Sequence, residues 1–167
     1  ALNNRVIANT VYGNYDSGIE MTTSTGTIVA NNVSVDNGIN SARTAGEIRV
    51  DSASVSTTTL NDDLVFLRVP GEMIDWNGVK YASLAAFQSA TGQESRGIQA
   101  DPRFVSVAGA NFHLSAGSPA IDSANSGAPN QPAVDFDNAS RFDDPATPNS
   151  GIGPVTYADR GAYEYHP

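Results

Sequence analysis

A short internal repeat is the feature that most limits what this chain can fold into. The segments RVIANTVYGN, at Arg5–Asn14, and TIVANNVSVD, at Thr27–Asp36, superpose without a gap when Arg5 is placed on Thr27. Each copy is followed by a turn that contains Gly together with Asn or Asp. A third, less regular copy of the pattern occurs at Gly46–Asp51. Repeats of this length are typical of chains that stack one structural unit on the next.

The repeat predicts which residues lie above one another. Coils of several short strands would stack at the strand spacing of about 4.8 Å. In the gapless alignment, Val11 falls on Val33 in an interior aliphatic stack, and Asn9 falls on Asn31 in a ladder of amides at a corner. The predicted class is therefore all-β, with a parallel solenoid favoured and a β-meander of chance similarity as the alternative.

Composition and charge exclude several partners. The chain has 18 acidic and 9 basic residues, for a net charge of -9, and it has no cysteine. A surface of this sign repels nucleic acid, whose binding needs many cations, and it repels anionic membranes for the same reason. No apolar run approaches the length of a membrane span, so we expect no membrane insertion. The absence of cysteine excludes disulfides and thiolate metal sites.

The pattern changes in the second half of the chain, so we predict coils over 1–75 and a C-terminal cap over 76–167. The segment Trp76–Tyr81 contains Asn-Gly, which is a strong signal for a two-residue hairpin turn. A short helix is predicted at 84–91, with Ser83 as its N-cap and Gly92 at its C-terminal end. The stretch 126–154 is rich in Pro, Asn, Asp and Ser and predicts a long irregular loop.

Four motifs in this second half carry a family likeness. They are WNGVKYASLAAFQSATGQE, ADPRF, NFHLSAGSPAID and DRGAYEY, and they occur in that order between Trp76 and Tyr165. Together they resemble the C-terminal end of bacterial right-handed parallel β-helix proteins of the pectate-lyase-like superfamily. The resemblance implies a right-handed parallel β-helix with a strand-and-loop cap in a secreted or cell-surface protein that binds or cleaves polysaccharide. It carries over no catalytic residues, because in active members those lie on coils upstream of such a tail.

The first residues of the chain depart from this family pattern. Solenoids of this kind need a cap over an open end, because an uncovered strand edge favours aggregation. Ala1 opens directly in a coil, without a capping helix. We therefore expect upstream coils, or a second chain, to cover the N-terminal end.

Candidate glycan-binding residues are the aromatic and basic side chains of the coils and the hairpin. A pyranose packs its flat apolar face on an aromatic ring, and a polysaccharide lyase needs a cation beside the substrate carboxylate. The candidates are Tyr12, Tyr15, Arg43, Arg49, Trp76 and Tyr81. Trp76 also suits a lid over the last coil, since large aromatic side chains are mostly buried.

A structural calcium ion is the one cofactor that the sequence suggests. The segment DFDN, at 135–138, places oxygen ligands close together, and hard cations take six to eight oxygens. The candidate ligands are Asp135, Asp137, Asn138 and Asp159. The alternative is that these side chains form Asx-turns with their own backbone.

The sequence therefore favours an extracellular, carbohydrate-associated module that binds polysaccharide or caps a polysaccharide-degrading enzyme. Two alternatives stay open: a compact polysaccharide lyase or glycoside hydrolase, and a rigid surface or adhesion module. The adjacent pairs Asp62-Asp63 and Asp143-Asp144 do not supply the two carboxylates of a hydrolase, because neighbours on a strand point to opposite faces.

Overall fold

A computed structural model describes residues 1–41 and 46–167. Within this part the chain is mostly β, with short strands, one α-helix and a single 3-10 turn at Val55–Thr57. The strands are β1 (Arg5–Ile7), β2 (Thr10–Tyr12), β3 (Ile19–Met21), β4 (Ile28–Ala30), β5 (Val33–Val35), β6 (Ile48–Val50), β7 (Thr59–Asn61), β8 (Leu64–Phe66), β9 (Ile74–Trp76), β10 (Val79–Tyr81), β11 (Ile98–Gln99), β12 (Phe104–Ser106) and β13 (Asn111–Leu114), and the helix is α1 (Leu84–Thr91).

Three parallel sheets are built from successive passes of the chain. The first sheet has the order β1-β4-β7, the second β2-β5-β8-β11 and the third β3-β6-β9, with β10 added antiparallel to β9. The chain visits the three sheets in the same order three times, and we call each pass a circuit. The strands β1, β2 and β3 of the first circuit are therefore the edge strands at one end of all three sheets.

The register of the sheets differs from the predicted one by a single position. Val6 pairs with Val29 and Val11 pairs with Ser34, so the offset between the first two circuits is longer by one position than the gapless alignment predicts. The predicted stack of Val11 on Val33 is therefore wrong. A slip of one position exchanges the two faces of a strand, and Val33 lies on the outer face of its sheet while Ser34 points inward.

The predicted asparagine ladder exists, but with a different second member. The backbone N–H and the side-chain amide of Asn9 both donate to Oδ1 of Asn32, each at 2.9 Å. Asn32 in turn donates to Oδ1 of Asp63 at 2.7 and 2.8 Å. Asn31, the predicted partner of Asn9, instead donates to the carbonyl of Asn125 in the C-terminal half. We call Asn9, Asn32 and Asp63 the first ladder.

A second ladder lies at the corner between the second and third sheets. Asn14 donates its backbone N–H and its side-chain amide to Oδ1 of Asn37, at 2.9 and 2.8 Å. Asn37 in turn donates its backbone N–H and its side-chain amide to the carboxylate of Glu47. This carboxylate also accepts from the hydroxyl of Ser34. Asn37 and Glu47 are fully buried, so these bonds satisfy polar groups that would otherwise be costly inside the fold.

An aliphatic core fills the space between the three sheets. Ile48 stacks on Ile74 in register, and both are fully buried together with Val29, Val50 and Leu60. Burial of side chains of this size contributes about 1.5–3 kcal/mol each to the free energy of folding. The second circuit contains more residues than the first. In the first sheet, Val29 is farther along the sequence from its register partner Leu60 than it is from its partner Val6.

The hairpin and the helix close the core at the third-circuit end. The predicted hairpin is confirmed, since Val79 pairs antiparallel with Trp76 across the Asn-Gly turn. The predicted helix is also confirmed: the Ser83 hydroxyl accepts from the N–H of Ala86, and Gly92 ends α1 in a left-handed conformation. Buried Leu84 and Phe87 of α1 belong to the same cluster as the aliphatic core.

The C-terminal tail returns over the outer face of the second sheet. Val33, Val35 and Leu64 form a cluster there with Leu114 and Ile121 of the tail. The antiparallel hairpin of β12 and β13 belongs to this cover, whereas the stretch 126–154 is irregular and forms only isolated bridges.

A buried arginine fastens the tail to the circuits. The guanidinium of Arg160 donates to the carbonyls of Asp63, Arg96 and Ser123 at 2.8–3.1 Å. The next residue, Gly161, donates its N–H to the carbonyl of Asn31 at 2.7 Å. In the ranges 1–41 and 46–167, no helix is both long and apolar enough to cross a membrane.

Candidate functional site

A groove on the outer face of the second sheet contains one of the predicted glycan-binding residues. Tyr12, Val35 and Phe66 occupy one register position on β2, β5 and β8, so their side chains lie in a row across the sheet. Because Val11 and Val65 point into the core, this row faces outward. Tyr12 therefore faces outward, and its neighbour in the next circuit is Val35.

The tail hairpin forms the aromatic wall of this groove. The ring of Tyr12 lies 5.3 Å from that of Phe112 and 6.4 Å from that of Phe104, centroid to centroid. Phe104 and Phe112 contact one another edge to face at 5.3 Å. The three rings hold each other in place, and Tyr12 stays partly exposed.

The rim of the groove carries two arginines and two aspartates. The groove has a volume of about 260 Å³, and the four charged residues that line it are Asp36, Arg68, Asp101 and Arg103. Oδ1 of Asp36 accepts from the backbone N–H of Arg68 at 2.9 Å, and its other oxygen lies 3.7 Å from Nε of Arg68. Oδ1 of Asp101 accepts from the backbone N–H of Arg103 at 2.8 Å.

This combination of groups suits a polar ligand with flat apolar faces. The Arg68 side chain is 62% exposed, so its planar fork of N–H donors is open to solvent. Guanidinium groups bind carboxylates and hydroxyls, carboxylates accept from hydroxyls, and aromatic rings pack on apolar faces. Phe66, Arg68 and Phe104 were not among the predicted residues. With the correct register, Phe66 is found in the sequence as the third-circuit equivalent of Tyr12.

The other predicted glycan-binding residues lie elsewhere. Trp76 and Tyr81 pack edge to face on Phe87, at 5.5 and 5.3 Å between ring centroids, as parts of the lid over the core. Tyr15 is 64% exposed and follows β2 in the turn before β3. Arg43 lies outside the described residues.

Arg49 lies on the outer face of the third sheet, away from the groove. Glu20, Arg49 and Asp75 stand in register on β3, β6 and β9, and Arg49 forms ion pairs with both acids. Lys80, on the adjoining β10, pairs with Glu72 at 2.8 Å. Charges paired in this way on a solvent-facing sheet stabilise the fold only weakly.

The predicted calcium ligands are engaged within the protein. The carboxylate of Asp135 accepts from the backbone N–H groups of Asp137, Ala139 and Glu164. Asp159 accepts in the same way at both of its oxygens.

The remaining two predicted ligands do not complete a cation cage. The carboxylate of Asp137 lies 2.6 Å from Nε2 of His113, which faces outward on β13 as its strand pattern predicts. Asn138 has a φ of 62° in an exposed turn. Among residues 1–41 and 46–167, no three His, Asp or Glu side chains are arranged to hold a metal ion. The calcium ion stays a prediction without a matching geometry.

Several buried acids have raised pKa values, and of these only Asp159 was a predicted site residue. Burial raises the pKa of Glu47 to about 7. Burial, followed by repulsion from Glu164, raises the pKa of Asp159 to about 8. Burial, followed by repulsion from the neighbouring Asp63, also raises the pKa of Glu94 well above its usual range. None of these residues lines the groove.

Comparison with known proteins identifies no relative: no family model, no curated protein and no solved structure matches the chain.

Proposed function

We propose that this chain is the C-terminal part of a right-handed parallel β-helix and that it binds polysaccharide in the groove beside Tyr12. The fold part of the proposal rests on three circuits that visit the same three parallel sheets in the same order. Parallel connections of this kind are right-handed in almost all proteins. The motifs between Trp76 and Tyr165 that resemble the pectate-lyase-like superfamily support the same fold and an extracellular or cell-surface location.

The observation that carries the functional part is the groove itself. It combines exposed arginine donors, aspartate acceptors and the rings of Tyr12, Phe66 and Phe104 in a volume of about 260 Å³. Sugar recognition uses these three kinds of contact together. A net charge of -9 favours a glycan over nucleic acid as the partner.

Binding fits the groove better than hydrolysis does. A glycoside hydrolase needs a general acid whose pKa is raised towards the working pH, opposite a second carboxylate. The buried acids with raised pKa values, among them Glu47, Glu94 and Asp159, lie inside the fold and away from the groove. The two groove aspartates each accept a hydrogen bond from the backbone N–H of a nearby arginine. These contacts shape the rim of a binding surface.

The test uses single charge-neutralising variants on two faces of the protein. Arg68→Gln and Arg103→Gln alter the groove, whereas Lys80→Gln makes the same charge change on the third sheet, where Lys80 is 50% exposed. Affinity electrophoresis and calorimetry with polygalacturonate, alginate and xylan measure binding. Loss of one charge-assisted hydrogen bond, of about 1.5–3 kcal/mol, weakens binding by about 10- to 100-fold in the groove variants.

The same variants and glycans provide the control and distinguish the alternative functions. We expect Lys80→Gln to bind like the wild type, with unchanged circular dichroism in all three variants. Absorbance of unsaturated products and new reducing ends are followed in parallel, and turnover would favour the lyase or hydrolase alternative. Equal retention by the groove variants and the wild type would refute the groove. No retention on any glycan would leave the structural or adhesion role.

A further inference from the structure

Three side-chain oxygens converge between Asp122, in the tail, and the irregular stretch 126–154. The side-chain oxygen of Asn149 lies 3.2 Å from Oδ1 of Asp143 and 3.3 Å from Oδ2 of Asp122. Asp122 is fully buried, whereas Asp143 and Asn149 are exposed, so the group extends from the interior to the surface. We call these three side chains the oxygen cluster.

The separations within the oxygen cluster match those of ligands around Ca²⁺. Ca²⁺ binds carboxylate and amide oxygens at about 2.3–2.6 Å, so its neighbouring ligands lie about 3–3.5 Å apart, whereas around Mg²⁺ they lie about 2.9 Å apart. Oxygens this close repel one another unless a hydrogen or a cation lies between them. The alternative is an Asn149 amide in the reverse orientation, which would donate to both carboxylates at the same distances. The oxygen cluster is therefore either a cation site or a pair of carboxylates bridged by an amide.

The carboxylate of Asp122 favours the cation site. Its Oδ1 is buried and accepts no hydrogen bond from residues 1–41 or 46–167, and reversing the Asn149 amide does not change this. The backbone N–H of Asp144 approaches the carboxylate, yet burial, followed by repulsion from Asp143, raises the pKa of Asp122 to about 6. The buried carboxylate of Asp135, by comparison, accepts from three backbone N–H groups. A buried carboxylate with so few donors is costly unless a positive charge lies beside it.

No side chain in the described part of the protein supplies that positive charge. Among residues 1–41 and 46–167, no Lys or Arg forms an ion pair with Asp122 or Asp143. Arg96 donates to the carbonyl of Ser150, next to the oxygen cluster, but its ion pair is with Asp62 at 2.9 Å. A positive charge at the oxygen cluster would therefore have to come from solution.

The backbone holds the oxygen cluster in place. The carbonyl of Asp122 accepts from the N–H groups of Ser150 and Gly151, at 2.8 Å each, and its N–H donates to Asp159 at 2.7 Å. Asp144 is not a further ligand, because its two carboxylate oxygens accept hydrogen bonds within its own turn. A cation bound here would meet ligands that are already in position, which lowers the cost of binding.

We propose that Asp122, Asp143 and Asn149 bind a calcium ion that ties the irregular stretch 126–154 to the tail. None of these residues is among the calcium ligands predicted from the sequence, and the site is independent of glycan binding. It uses two carboxylates and one amide, which agrees with the finding that residues 1–41 and 46–167 hold no metal-binding group of three His, Asp or Glu side chains. Water would supply the remaining ligands of the six to eight that Ca²⁺ takes, so we expect a Kd on the order of 10⁻⁴–10⁻³ M, as in extracellular calcium-binding modules.

The test measures Ca²⁺ binding by calorimetry to the full chain, after treatment with a chelator, at a pH above the Asp122 pKa of about 6. Asn149→Asp replaces the amide by a carboxylate, so we expect at least about fivefold tighter binding, since the charge of the ligands tunes calcium affinity. Asp143→Asn removes a charged ligand, and we expect at least about tenfold weaker binding. The control Asp137→Asn neutralises a 51% exposed acid that the sequence predicted as a ligand, and it should bind like the wild type.

Asn149→Asp separates the two interpretations of the oxygen cluster. A calcium site gains a ligand from this change, whereas a bridging amide loses its two donated bonds and adds a third negative charge, so binding no tighter than that of the wild type would overturn the proposal. So would the absence of Ca²⁺ binding by the wild type up to about 10 mM, ten times the weakest affinity expected. Weaker binding by Asp137→Asn with wild-type binding by Asp143→Asn would place the ion elsewhere and overturn it as well. Circular dichroism without Ca²⁺ checks the fold of each variant, and if Asp143→Asn does not fold, the wild type and Asn149→Asp decide.

Discussion

Glu47 makes the stability of this protein depend on pH in the direction opposite to that of most surface acids. The side chain is fully buried, and its two oxygens accept from the backbone N–H of Asn37 at 2.9 Å, the Asn37 amide at 2.6 Å and the Ser34 hydroxyl at 2.7 Å. These bonds favour the carboxylate, but desolvation outweighs them and raises the pKa of Glu47 from 4.5 to about 7.

A pKa that is higher in the folded protein means that the folded state binds the proton more tightly. Its contribution to stability is complete below the unfolded-state pKa of 4.5 and is lost as the pH rises through about 7. One pKa unit corresponds to about 1.4 kcal/mol, so Glu47 alone lowers the free energy of unfolding by about 2 to 3 kcal/mol between pH 5 and pH 8. The raised pKa values of Asp122 and Asp159 act in the same direction.

The variant Glu47→Gln isolates this residue, because glutamine has nearly the same shape and does not titrate in this range. Urea unfolding at pH 5 and pH 8 gives the free energy of unfolding of each protein. We expect the wild type to lose about 2 to 3 kcal/mol more than Glu47→Gln between the two pH values. The control Glu72→Gln removes a partly exposed acid and should keep the wild-type pH dependence. The same pH dependence in Glu47→Gln and the wild type would refute the argument.

Two further variants test how the tail is held. Arg160→Lys keeps the positive charge but leaves most of the carbonyls that accept from Arg160 without a donor, so we expect its free energy of unfolding in urea to fall by about 2–4 kcal/mol. Arg5→Lys, at an exposed site, is the control. Near wild-type stability of Arg160→Lys would contradict the proposed attachment of the tail. Gly161→Ala adds a Cβ 2.9 Å from Val33 Cγ2 at a φ of +89°, so we expect a loss of about 1–3 kcal/mol in the same assay. The control Gly71→Ala meets its nearest atom at 3.4 Å, and an equally small effect at both glycines would contradict the close approach of the tail.

The repeating path of the chain could be predicted from the sequence, but its register could not. Sequence identity aligns Ala8 with Ala30, whereas the structure aligns Ala8 with Asn31. Ala8 and Asn31 adopt a positive φ at the same corner of successive circuits, and Asp62 does so in the third circuit. Identity carries no information about that backbone conformation.

The alternation of apolar residues in β5 also predicts the wrong face of this strand for the core. Val33 and Val35 resemble core-facing residues, and Ser34 resembles a solvent-facing one. The C-terminal tail covers the outer face, so the valines are buried outside the circuits, while Ser34 faces inward to Glu47. The inward and outward faces of β5 are therefore set by a contact with a distant part of the chain, which the pattern of neighbouring residues does not reveal.

The candidate site was predictable only in part. The outward orientation of Tyr12 follows from local alternation, but its partners Phe104 and Phe112 come from a hairpin far along the chain. The Asn-Gly turn predicts the hairpin that carries Trp76 and Tyr81, yet it does not predict that α1 packs Phe87 against both rings. Residues that meet through the tail or the helix cannot be paired by spacing in one sequence.

The return of the tail over the second sheet has a consequence for the order in which the chain can fold. Neighbouring circuits pair over short stretches of sequence, but Ala162 donates to Thr10 across 152 positions and Gly161 reaches Asn31. The valines on the outer face of β5 stay uncovered until the tail has been synthesised. Closing so large a loop is slow, so a growing chain holds its early strands with one face exposed until the tail arrives.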